Sequence, residues 1–147
     1  MKISAKGKYG LAAMIFIAQQ PADECITVLR ISETLDISKI YLEQVFALLK
    51  KAELVISIKG SSGGYRLSKQ SKEITAFDIL NAVDVSLFET TDKNISDKAS
   101  YISKALDEIL WKEFDNTIVK YFTGITLYEL ADASSKNQAG KEIMYYI

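Results

Sequence analysis

One cysteine and no histidine in 147 residues remove most of the chemistry that a chain of this size could carry. An internal disulfide, an imidazole base and a zinc site of ordinary ligand type all need residues that are absent. Carboxylates alone would have to serve acid–base catalysis, and no pair of them stands in a cleft-like glycine setting, so an enzyme has almost no support. What remains is hydrogen bonding and charge, and both gather in one stretch. Residues 37–72 hold seven Lys/Arg against two Asp/Glu, although the whole chain carries a net charge of −1. Residues 1–84 hold eleven basic against nine acidic side chains, and residues 85–147 hold seven against ten. A local basic patch on an otherwise acidic chain suits an anionic partner at that patch, because distant charge is screened beyond about 8 to 10 Å.

The side chains in and near the patch are of the kinds that meet base edges and phosphates. The Gln44 amide matches adenine N6/N7, Glu43 can accept from cytosine N4, and Ile40 or Tyr41 can pack on a thymine methyl. Ser38, Lys39, Lys59 and Arg66 are placed to hold phosphates. Two of these have plainer readings that stay open: Glu43 as an ion-pair partner of Lys39 or Lys50, and Tyr41 as a half-buried ring against the first helix.

The elements that would position these groups can be read from spacing. Ser38 stands where a helix N-cap belongs, and Leu42, Val45, Phe46 and Leu49 follow at i, i+3, i+4 and i+7, the buried face of a helix over 38–51. Ile40, Gln44, Ala47 and Lys51 then point away from the core, with Lys39 and Glu43 on the N-terminal shoulder. Leu54, Ile56 and Ile58 alternate with Val55, Ser57 and Lys59, which predicts a strand burying the first set. Gly60, Gly63 and Gly64 around Ser61 and Ser62 make a tight tip, and Tyr65, Arg66 and Leu67 return. A hairpin with a basic, glycine-rich tip directly after such a helix is a wing.

Here the stretch YLEQVFALLKKAELVISIKGSSGGYRLSK resembles the helix and wing of the IscR and CymR transcription regulators, the Rrf-two family. The opening MKISAKGKYGLAAM and the segment ITAFDILNAVD match the same family, so the resemblance covers nearly the whole chain. It implies a mainly α (α+β) fold, a winged helix-turn-helix with a long C-terminal dimerisation helix. It further implies a homodimer acting on double-stranded DNA, a repressor on a roughly palindromic operator, with the helix 38–51 in the major groove and the wing 59–66 on backbone or minor groove. Two positions depart from the family pattern: Lys59 stands where Arg is common, and Ile40 where a polar residue is common. In the cluster-binding branch, the connection that corresponds to residues 85–94 (VSLFETTDKN) carries three closely spaced cysteines for an iron–sulfur cluster. None is present here, and Cys25 lies on the other side of the wing, so no cofactor is expected. A reading of another class competes: a winged-helix interaction module whose partner is a protein, with DNA binding weak or lost. An exposed basic patch separates the first reading from the second, in which acids of the long helix would neutralise it.

The rest of the chain predicts the support. A first helix over residues 4–19, with Lys2, Lys6 and Lys8 and no acid in its first ten residues, offers an N-terminus that could hold a phosphate through Lys6 and free N–H groups. Thr27 caps a short helix to residue 35, Asp36 and Ile37 turn, and Thr75 opens a helix to residue 83 that is expected under the wing. Residues 96–122 read as one long helix of about 40 Å at ~1.5 Å per residue. Its apolar stripe, with Leu106, Leu110, Phe114, Ile118 and Phe122 as the dimerisation residues, exceeds what a small core can cover. Thr126 and Glu129 form a capping box for a short final helix, residues 134–140 read as a polar linker, and the apolar tail 143–147 as docked. The expected division is a DNA-binding unit at 1–84 and a dimerisation unit at 85–147. No apolar run reaches the ~20 residues of a membrane span, and residues 1–20 lack a signal-peptide cleavage site, so the expected location is the cytoplasm. The signal is left open among a small-molecule effector, a regulatory protein and oxidation of Cys25, the last against a reading of Cys25 as a small buried hydrophobe.

Overall fold

Side-chain caps start the helices where the sequence places them. In a computed structural model, which describes residues 2–90 and 93–145 and only the backbone of Tyr145, Ser4 Oγ accepts from Gly7 N at 3.1 Å and opens α1 (Ala5–Ala18). Thr27 Oγ1 accepts from Arg30 N at 3.1 Å and opens α2 (Val28–Leu35). Ser38 Oγ accepts from Tyr41 N at 3.4 Å and opens α3 (Lys39–Lys51). Between α2 and α3 the chain turns at Asp36, in the left-handed region at φ 55. Ser32 holds that turn: its hydroxyl donates to Ile37 O at 2.6 Å and its carbonyl accepts from Ile37 N at 3.2 Å. This is a helix-turn-helix built from local capping chemistry.

The wing follows as β1 (Val55–Ile58) paired antiparallel with β2 (Gly64–Leu67), in the register Val55 to Leu67 and Ile58 to Gly64. The burial expected for Leu54, Ile56 and Ile58 holds only for Leu54. Within β1 the alternation is reversed: Val55 is buried and Ser57 half-buried, while Ile56 and Ile58 are exposed. The reason lies in the turn before the strand. Glu53 adopts φ 60 and Leu54 N donates to Leu49 O at 3.0 Å, so Leu54 packs as part of the α3 terminus and the two-residue period begins afresh at Val55.

A third segment joins this sheet without any periodic signal. Ile26 and Tyr65 exchange both backbone bonds at 2.8 Å, which ties the α1–α2 connection to the wing. Gly64 makes that approach possible, since it sits at φ 141 and a Cβ there would lie 2.6 Å from the Ile26 carbonyl. Gly64→Ala is therefore expected to cost about 2 to 3 kcal/mol, combining strain and displaced backbone. Denaturant unfolding measures the loss, and Ser62→Ala at the exposed tip should leave the midpoint unchanged.

The core sits among α1, α3 and the wing base. Ala13, Met14 and Ile17 of α1 meet Leu42, Val45, Phe46 and Leu49 of α3, with Ile26, Ile31 and Val55 completing the cluster. Phe46 lies against the Tyr65 ring at 4.6 Å between centroids. Thr75 and Asp78 exchange cap bonds at 3.1 and 2.9 Å and open α4 (Ala76–Val83). Contrary to its expected place under the wing, α4 packs on α1 and α3. Val83 lies so close to Gly10 that a Cβ there would stand 3.1 Å from Val83 Cγ2.

Beyond α4, a 3-10 turn (Val85–Phe88) places Phe88 between Phe77 and Phe122. The long helix expected over 96–122 is composite. A 3-10 turn (Asp97–Ala99) leads into α5 (Ser100–Leu106), a π-helical segment (Asp107–Trp111) and α6 (Lys112–Thr123). Thr126 and Glu129 form the expected capping box at 3.1 Å each way, but the helix they open, α7 (Leu127–Tyr145), is not short. It runs straight through residues 134–140, so the expected polar linker is helix, and Gln19 Nε2 donates to Ser135 Oγ at 3.0 Å along its contact with α1. Ile143 and Met144 are exposed instead of docked, and residues 146 and 147 lie outside the described residues.

Candidate nucleic-acid interface

The outward face of α3 is open. Lys39, Ile40, Glu43, Gln44, Ala47 and Lys51 are all exposed, Ile40 at 71%. The amide of Gln44 has no hydrogen-bond partner among the described residues, which leaves both its donor and its acceptor available to a partner. Glu43 faces Lys39 at 3.9 Å, an exposed i, i+4 pair worth about 0 to 1 kcal/mol and easily exchanged for another partner. Tyr41 is half-buried, its ring edge-on to Tyr9 of α1 with centroids 5.2 Å apart, so it anchors α3 to α1. Ser38 is exposed, and its oxygen is engaged in the α3 cap.

The wing tip is open as well. Lys59 and Gly60 are exposed, Gly60 sits at φ 107, and nothing would meet a Cβ there within 4 Å. Arg66 lies elsewhere on the hairpin. It pairs across from Ile56 and lines a cleft with Pro21 and Glu24 at the wing base, not at the tip. At the start of α1, Lys6 is half-buried, and Ser4 N donates to Asp84 Oδ2 at 3.4 Å. A carboxylate already meets one N–H of that helix start, which competes with a phosphate there. Sequence reasoning missed Asp84, since a contact across eighty residues leaves no local mark.

The basic patch is not neutralised from the long helix. Among the described residues, Lys50, Lys51, Lys59, Arg66 and Lys69 make no ion pair. Three of the four acids of residues 107–115 pair instead with lysines nearby: Asp107 with Lys112 at 3.4 Å, Glu108 with Lys104 at 3.9 Å, and Asp115 with Lys93.

A second surface is apolar. Ile109 is 81% exposed, Leu110 47% and Phe114 50%, and α6 has no buried residue. Leu106, Ile118 and Phe122 are half-buried, Phe122 lying edge-on to Phe88 at 5.9 Å.

Comparison with known proteins decides the family. The model of Rrf2, described as an iron-dependent transcriptional regulator, matches residues 3–133. The chain belongs to the Rrf2 family of transcriptional regulators. The HTH-type transcriptional regulator IscR of Aliivibrio salmonicida is 35% identical over 130 residues, 88% of this chain and 77% of that protein. IscR of Vibrio cholerae is equally identical over 88% of this chain and 75% of its own length. Among solved structures, CymR, the global cysteine regulator of B. subtilis, superposes with a TM-score of 0.74 at 31% identity, covering 90% of this chain and 98% of that one. IscR of T. potens gives 0.71 at 29% identity, over 94% and 91%.

As an Rrf2 regulator with a helix-turn-helix and a wing, the protein is a DNA-binding transcription regulator and not an enzyme. An iron–sulfur cluster, in contrast, does not fit its donor set. Such a cluster needs several thiolates or imidazoles, whereas Cys25 is the one thiol and histidine is absent. Cys25 is half-buried next to Ile26 on the wing's third segment, at the opposite end of the domain sequence from residues 85–94. No helix among the described residues is long and apolar enough to cross a membrane.

Proposed function

We propose that this Rrf2 protein is a homodimeric, sequence-specific repressor that acts in the cytoplasm on a roughly palindromic operator. The observation that carries the reading is the exposed Gln44 face of α3, unpartnered among the described residues, together with an exposed Lys59 at the wing tip. In this reading α3 enters the major groove, where Gln44 and Glu43 meet base edges and Ile40 packs on a thymine methyl. Tyr41 serves from its anchored position on Tyr9 as a contact at the groove edge. Lys59 and Gly60 reach the minor groove or its phosphates, and Ser38, Lys39, Lys6 and Arg66 contribute backbone contacts and field. Residues 1–84 form the DNA-binding unit, and residues 85–147 join two copies through Leu106, Leu110, Phe114, Ile118 and Phe122. Bound at a promoter, the dimer represses by occupancy, and a regulatory protein or a small-molecule effector controls it.

That Lys50, Lys51, Lys59 and Arg66 make no ion pair among the described residues favours this over a purely protein-binding winged helix. The test is selection of bound fragments from the source genome followed by footprinting. The expected result is two protected half-sites related by a two-fold axis, with centres about 34 Å apart or a multiple of it. Binding that ignores sequence, or a single asymmetric footprint, overturns the reading.

A further inference from the structure

A cleft of about 510 Å³ opens at the base of the wing, between the C-terminal end of α1, the α1–α2 connection, the segment after β2 and the first turn of α7. The volume is in the range of small-molecule sites. Its walls differ in character. Ile17, Ala18, Pro21 and Leu67 give it apolar lining, and the Tyr128 ring borders it as well. Arg66, Lys69 and Lys72 line the same cleft. Glu24 also borders the cleft, but Arg30 holds it at 2.6 Å, and Arg30 takes the Gln20 side-chain oxygen as well, at 3.2 Å. Lys72 lies 4.6 Å from the centre of the Tyr128 ring, and neither Arg66 nor Lys69 has an acidic partner among the described residues. Glu24 is thus engaged, Glu73 beside the cleft accepts from Gln70 N at 3.2 Å, and three cations share the lining with apolar residues.

We propose that this cleft binds a small organic carboxylate with an apolar body. The carboxylate takes Arg66 as a fork and Lys69 as a point charge, while the hydrocarbon lies on Ile17, Pro21 and Leu67. Neither part suffices alone: an apolar molecule leaves the cations unmatched, and a bare anion leaves the wall wet. Because Arg66 and Leu67 end the returning strand of the wing, the ligand rests directly on the element that carries Lys59.

The test uses the full chain without DNA, so its outcome is independent of the operator reading. Amide ¹H–¹⁵N spectra are recorded while hexanoate, hexanamide or acetate is added. Hexanoate should saturate with a Kd of about 1 to 10 mM, shifting Ala18, Leu67, Ser68 and Ser71, with hexanamide and acetate each about tenfold weaker. Replacing Lys69→Gln and Lys72→Gln together should weaken hexanoate about tenfold at an unchanged melting temperature, and Lys69→Arg with Lys72→Arg should keep it. Saturable shifts centred elsewhere, equal binding of acid and amide, equal binding of hexanoate and acetate, or no saturation of hexanoate overturns the proposal.

Discussion

Leu110→Asp combined with Phe114→Asp should yield a folded monomer, against the dimer proposed for the wild-type chain. Both side chains are about half exposed on their own chain, at 47% and 50%, so the protomer alone leaves much of each in water. Ile109 and Tyr121 extend the same exposed apolar surface, which a lone protomer would have to keep in water. A two-fold interface uses each position twice, and burying the remaining half of each side chain contributes roughly 1 kcal/mol per copy. Four copies correspond to a rise in the dimer dissociation constant of about a thousandfold, before the added cost of facing carboxylates. Sedimentation equilibrium of both proteins measures the change, with circular dichroism to confirm helix content. A wild-type chain that sediments as a monomer at micromolar concentration rejects the interface.

Gln44→Ala and Lys59→Ala should fail in different ways. Gln44 is exposed on α3 with both amide functions free, so its removal should cost about 1 to 3 kcal/mol per half-site on the operator and relax preference at one base pair. On random duplex the same variant should bind as the wild type does. Lys59 stands at the open wing tip and carries charge without a directional fork. Lys59→Ala should weaken binding to every duplex and reduce the slope of log K against log salt by about 0.9 for each phosphate that a protomer no longer neutralises. Titrations at several salt concentrations, on operator and on scrambled DNA, separate the two signatures. If Gln44→Ala keeps full selectivity while Lys59→Ala alone abolishes it, α3 is not the reader and sequence is sensed through groove shape at the wing.

Much of this arrangement is legible in the residues because it is set by local rules. Thr27, Ser38, Thr75 and Thr126 all cap the helices their spacing predicts, since a cap needs only a side-chain oxygen and a backbone N–H three residues on. The buried and open faces of α3 follow from its period in the same way. The failures share a different origin. Leu54 mimics the first inward residue of β1 because the φ 60 turn at Glu53, which resets the alternation, has no signature in a non-glycine residue. Residues 134–140 resemble a linker because a solvent-facing helix turn lacks an apolar stripe and Ser134, Ser135, Asn137 and Gly140 are weak helix formers, yet α7 continues through them beside α1, where Gln19 meets Ser135. Ile26 bonds Tyr65 through its backbone, which composition cannot report. Lys69, Lys72 and Tyr128 share a cleft only because α7 returns beside the wing base.

The π segment between α5 and α6 bears on phase. Leu106, Leu110, Phe114, Ile118 and Phe122 recur at a strict interval of four. On a uniform α-helix each such step overshoots a full turn by about 40°, so the last would lie about 160° around the cylinder from the first. The widened turn at Asp107–Trp111 absorbs about one residue, which returns roughly 100° of that drift and leaves the five side chains on a gently winding band. The band leaves solvent at Leu110 and Phe114 and comes to rest on Phe88 at Phe122. The winding of this segment is therefore as much a determinant of the apolar surface as the identity of its residues: the same residues in a uniform α-helix would carry Phe114, Ile118 and Phe122 about 80° to 160° around from Leu106 without altering a single hydrophobic side chain.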